Sequence, residues 1–102
     1  MAAIGIASGS TPQGSTAWQQ YTGGAGVYVD VNTTTAGFTG TPLYFTSLGG
    51  ASSHWATTGA TSIYLPTATG FRVYVRWVDG LPLTPATANA HGWHINWLAI
   101  RP

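Results

Sequence analysis

The segment Phe71–Trp77, FRVYVRW, alternates without a break: Phe71, Val73, Val75 and Trp77 are apolar, while Arg72, Tyr74 and Arg76 between them carry polar tips. A strand sends successive side chains to opposite faces, so a run like this buries one face of a sheet and leaves the other to water or a partner. The pattern recurs. GVYVDVNT sets Val27, Val29 and Val31 against Tyr28, Asp30 and Asn32. AAIGIA offers Ala2, Ile4 and Ile6 on one face, PLYFTSL follows Pro42, and TSIYLP sets Ile63 and Leu65 against Ser62 and Tyr64. The closing run puts Trp93, Ile95, Trp97 and Ala99 on one side and His94, Asn96, Leu98 and Ile100 on the other. No window repeats apolar residues at helical spacing, and turn-rich segments such as TGGAG and LGGASS separate the runs.

These features predict an all-β chain, a single domain over residues 1–102 built as an antiparallel β-sandwich of about six strands. One connection is unusually long. From about Asp79 to Gly92 it exceeds the ordinary length of a structureless loop, and it is expected to be functional or ordered by a partner.

The surface of such a sandwich must be nearly free of charge. Arg72, Arg76, Arg101, Asp30 and Asp79 are all the charged residues, 5% of the chain against roughly 25% in an ordinary domain. Three arginines cannot supply the phosphate contacts that nucleic acid binding requires. No apolar run approaches the roughly 20 residues of a membrane span, so membrane insertion is not expected. MAAIGIAS is too short and lacks the basic residues of an intact signal peptide. A weakly charged surface offers little repulsion between copies, which is an assembly signal.

Two carboxylates are too few to mark an acid–base pair, and no motif marks a nucleophile beside a base, so an enzyme is not expected. His91 and His94 lie three apart, on opposite faces if the backbone there is extended, with no third ligand at suitable spacing; neither a metal nor a cofactor is implied.

Sugar recognition is better provided for. Sugar C–H patches pack on aromatic faces while hydroxyls take hydrogen bonds from polar groups, so a site combines an aromatic ring with convergent polar side chains. Trp77, beside Asp79 and the long loop, fits that description, and His54-Trp55 offers a second aromatic site. On the final strand, Leu98 and Ile100 do not suit an exposed sheet face and suggest a subunit contact. The outward stripes Arg72, Tyr74, Arg76 and Tyr28, Asp30 are also expected at an interface, where Arg and Tyr are favoured.

TGFRVYVRW and HINWLAI, with the proline-led TPLYFTSL and the earlier TAWQQY, resemble the H-type lectin domain, the fold of snail agglutinins and of the discoidin C-terminal module. Gly70–Trp77 and Ile95–Ile100 match closely, and the rest of the chain matches loosely. The resemblance implies a six-stranded antiparallel sandwich that forms trimers or hexamers and binds galactose-type sugars, notably N-acetylgalactosamine, in clefts between protomers without calcium. The family's Trp-His pair falls near Trp77, with Val78 after it; its last-strand Tyr falls near His91; its sugar-binding Arg falls near Ser62; its early Gly-x-Asp has only Gly14 and Thr16 nearby.

The expected function is thus an extracellular or surface-exposed, self-assembled lectin. Its partners are glycans and further copies of itself, and its candidate sugar residues are Trp77, Asp79, His91, His94, Asn96 and Ser62. The alternative is a structural or attachment subunit of an extracellular or virion assembly.

Overall fold

The computed structural model describes residues 5–102. They form two antiparallel sheets. Strands β1 (Gly5–Ser10), β8 (His94–Arg101) and β4 (Leu43–Gly49) make a three-stranded sheet in the order β1-β8-β4. The second sheet runs β2 (Gln19–Gln20), β3 (Val27–Asn32), β7 (Gly70–Trp77), then along the far edge of β7 both β5 (Thr57–Thr58) and β6 (Tyr64–Thr67). The six expected runs are all strands; β2 and β5 are two-residue additions at sheet edges. Ala2 and Ile4 lie outside the described residues.

Alternation sets the packing. Val27, Val29 and Val31 of β3 and Phe71, Val73 and Val75 of β7 are buried, and their register pairs Val29 with Val73 and Val31 with Phe71. Trp93, Ile95 and Ala99 close the core from the other sheet, with Trp97 partly buried against them. Each fully buried side chain of this size is worth at most about 1.5–3 kcal/mol of transfer free energy. Tyr44 on β4 joins the core by its ring, 4.5 Å from that of Phe71, and its hydroxyl donates to the Thr67 carbonyl at 2.7 Å and pairs with the buried Thr33 hydroxyl at 2.8 Å. A buried phenol without those partners would be costly.

Two expectations need correction. Ile63 packs against the core, but Leu65 does not share its face: Leu65 has φ 52°, the register slips between Tyr64 and Thr67, and its side chain is exposed. The long connection also contains a helix, α1 (Pro85–Ala90). Thr84 caps it by accepting from the Thr87 amide at 3.2 Å, and Pro85 occupies the first turn. At its end Gly92 is left-handed (φ 71°); the Gly92 amide donates to Asn89 O and the Trp93 amide to Ala88 O, both at 2.9 Å. The chain orders this connection by itself. Leu83 and Ala88 are buried, the Leu83 amide donates to Ala25 O, and Gln20 Nε2 donates to Leu83 O.

Candidate functional site

Trp77 ends β7 pointing inward and is half-buried. Its ring meets Trp93 edge-on at 5.1 Å and His91 at 6.0 Å, while His91 stacks on Trp93 at 5.4 Å. Trp93 Nε1 donates to Ser52 O at 2.8 Å, and His91 Nδ1 lies 3.0 Å from Ser52 Oγ. This aromatic group closes one end of the sandwich.

Trp55 stands beside it and behaves differently. It sits in the 3-10 turn His54–Ala56, entered through Ser53 in the left-handed region (φ 68°). The turn's backbone is held firmly: Ala56 N donates to Ser53 O, Thr57 Oγ1 to His54 O at 2.6 Å, and Val78 N to Ala56 O at 2.9 Å. The Trp55 side chain is nevertheless 91% exposed. With Ala56, Trp77, Val78 and Asp79 it lines a cleft of about 330 Å³. Asp79 Oδ1 accepts from the Leu81 amide at 3.0 Å, and its second oxygen has no partner among the described residues. His54 does not accompany Trp55 outward; its Nδ1 is buried without a hydrogen-bond partner.

The six expected sugar residues divide among three places. Trp77, Asp79 and His91 are at the closed end. His94 and Asn96 lie on the outer face of the three-stranded sheet, where Asn96 accepts from Ser10 Oγ at 2.7 Å, and His94 Nδ1 lies 3.1 Å from Gly92 O, a contact that places its proton on Nδ1. Ser62 is on the outer face of the other sheet, its amide donating to Gly59 O at 3.0 Å.

That second outer face holds a tyrosine cluster that the sequence pattern reveals only in part. Tyr74 is its floor. The rings of Tyr21, Tyr64 and Tyr28 lie 5.2, 4.9 and 5.6 Å from it, the first two edge-on. Tyr28 and Tyr74 are legible as cross-strand partners, whereas Tyr21 and Tyr64 arrive from a turn and an edge strand. Arg72 lies over the Tyr28 ring at 4.2 Å and grips Asp30 with two donors, at 2.7 and 3.0 Å. The Arg72 hydrogen bond holds the Asp30 carboxyl below the usual carboxylate range against a weaker desolvation, and it raises the Arg72 guanidinium further. Arg72 and Asp30 are therefore satisfied within one chain, whereas Arg76 on the same strand forms no ion pair among the described residues.

Half of the outer face of the three-stranded sheet is apolar. The register puts Ile6, Ile100 and Leu43 in one row, and Leu98 and Phe45 side by side in the next. Ile6, Leu43, Phe45 and Leu98 are 66, 58, 53 and 38% exposed, an area on the order of 400 Å², within the range of patches that are commonly functional. The next row, Ser10, Asn96 and Ser47, is polar.

No family model, curated protein or solved structure matches this chain.

Proposed function

We propose that this chain is a carbohydrate-binding protein that acts as an oligomer, with its sugar site at the Trp55–Trp77–Asp79 cleft. The observation that carries the proposal is the exposure of Trp55. A tryptophan held on a hydrogen-bonded turn with its indole in water gains little from folding, but it presents an apolar face at small backbone-entropic cost on binding. The free Asp79 oxygen beside it is an acceptor for sugar hydroxyls. Galactose-type specificity is suggested by the resemblance to H-type lectins alone. The two carboxylates lie toward opposite ends of β7, an arrangement that suits binding rather than hydrolysis.

The apolar half of the three-stranded sheet supports self-assembly; a trimer or a multiple of it is what the resemblance to H-type lectins implies. Roughly 400 Å² is about half of what each partner buries in a standard interface of roughly 800 Å² a side, and the serine and asparagine row alongside supplies a polar rim. The Tyr28, Asp30, Arg72 stripe is the weaker candidate because its charges already pair internally. Assembly would present several sugar sites together and multiply a weak affinity. The same patch supports a second reading, a structural or attachment subunit that binds no sugar.

A glycan-array screen of the purified protein, with its mass read by native mass spectrometry, separates the two. Under the lectin reading, glycan binding is lost in Trp55→Ala and reduced in Asp79→Asn while the oligomer persists. An oligomer that binds no glycan overturns it in favour of the structural subunit.

A further inference from the structure

On the outer face of the five-stranded sheet, the tyrosine cluster walls a second cleft of about 370 Å³, apart from the Trp55 cleft and at the lower end of small-ligand sites, roughly 300–1,000 Å³. Its shape follows from the edge of β7. That edge is paired at one end by Thr57 and Thr58 and at the other by Tyr64 and Thr67, and between them residues 59–63 leave it. Gly59 (φ 106°) permits the departure; any Cβ there would collide with the Tyr74 carbonyl. On the other side the β2–β3 turn, closed by the Tyr21 amide donating to Gly26 O at 2.9 Å, folds Tyr21 back over Tyr74, and Gly23 and Gly24 leave room for its ring.

We infer that this cleft binds a carboxylated pyranose, a sugar ring bearing one acidic group, as a site distinct from the Trp55 cleft. Three features select that ligand. The rings of Tyr21, Tyr64 and Tyr74 give apolar faces for sugar C–H groups. The hydroxyls of Tyr21, Tyr64, Thr58 and Ser62 make no hydrogen bond among the described residues, so the rim offers four polar groups to a ligand rich in hydroxyls. Among the described residues, Arg76 is the only charged one lining the cleft. Among the described residues its one hydrogen bond is a long 3.5 Å contact with Trp77 O, and it forms no ion pair: Asp30 is engaged by Arg72, and Asp79 makes no salt bridge with it. A cation without a counter-ion, at the end of an aromatic cleft that contains no acid, is complementary to a carboxylate. A proline-rich peptide also docks on aromatic rings, but it needs parallel ridges along an extended groove. Here two rings stand edge-on to a third around one basin.

The test is an NMR titration with the methyl glycosides of glucuronic acid, galacturonic acid and N-acetylneuraminic acid, with methyl glucoside and methyl galactoside as neutral counterparts of the two uronides. At least one acidic glycoside is expected to shift the Tyr21, Tyr64 and Tyr74 resonances and to bind roughly ten- to a hundredfold more tightly than a neutral one. Arg76→Gln should abolish that preference with the fold intact, Tyr64→Ala should remove binding, and Trp55→Ala should leave it unchanged. Equal affinity for acidic and neutral sugars, no shift with any acidic glycoside at millimolar concentration, loss in Trp55→Ala, or capture of a polyproline peptide in place of sugar would each overturn the inference. Loss in Trp55→Ala would assign the acidic sugar to the Trp55 cleft; the other outcomes do not bear on that cleft, which the glycan array reads separately.

Discussion

If Trp55 serves a ligand, its removal should leave the fold almost untouched. The indole is 91% exposed, so about a tenth of a side chain of at most ~250 Å² is withdrawn from water on folding. At roughly 25 cal/mol per Å² that is about 0.6 kcal/mol, and for a domain of this size a melting shift of about 5 °C at most. The comparison is Trp93→Ala. Trp93 is fully buried and its indole satisfies Ser52 O, so its loss creates a cavity costing about 3–5 kcal/mol and leaves a carbonyl without its donor. Thermal and urea unfolding of both variants, at two protein concentrations, reads the difference. A cost of 2 kcal/mol or more for Trp55→Ala would refute the reasoning. Were that cost also dependent on concentration, Trp55 would be buried between subunits, and the structural-subunit reading would replace the lectin.

Three further outcomes are expected. Leu98→Asp puts a charge into the apolar patch beside Phe45 and Ile100, and native mass spectrometry should show monomer with an unchanged circular dichroism spectrum. Gly59→Ala forces a Cβ against Tyr74 O at a left-handed position; it should cost upward of about 1 kcal/mol in urea unfolding and broaden the Tyr74 resonances. Asp30 ionises below its unfolded value, so its pairing stabilises above about pH 4 and is lost as pH falls through the depressed value; wild type and Asp30→Asn should melt closer together at about pH 2.5 than at about pH 6. The difference at the higher pH should be small, because the Asp30 side chain is largely exposed.

What could be read in advance followed the strength of the local signal. β3, β7 and β8 alternate cleanly, and their buried and outward sides are those the pattern predicts. β6 failed at Leu65 because a left-handed residue reverses the alternation, and nothing in TSIYLP marks that conformation. Helix α1 was legible after all: Thr84 before Pro85 is a start signal and Gly92 a stop, but six residues are too few to develop a helical apolar period. The Trp55 cleft was half-visible. Both tryptophans were candidates, yet which of them packs on Trp93 and which stands in water depends on contacts between segments some twenty residues apart. The tyrosine cleft was less visible still, since Tyr21 and Tyr64 meet only through Tyr74.

The order of strands has a bearing on how this domain closes. β8 is the central strand of its sheet, pairing with β1 near the start of the chain and with β4 in the middle. A nascent chain that has emerged only as far as Gly92 has no template on which β1 or β4 can pair, and the valine face of β3 and β7 has no second layer to cover it. The two layers therefore close only once β8 is available. Contacts of such long sequence separation close slowly. Until then a segment with few charges leaves the valine face of β3 and β7 uncovered, and the pairing of the eight-residue β8 with β1 and β4 is what ends the exposure.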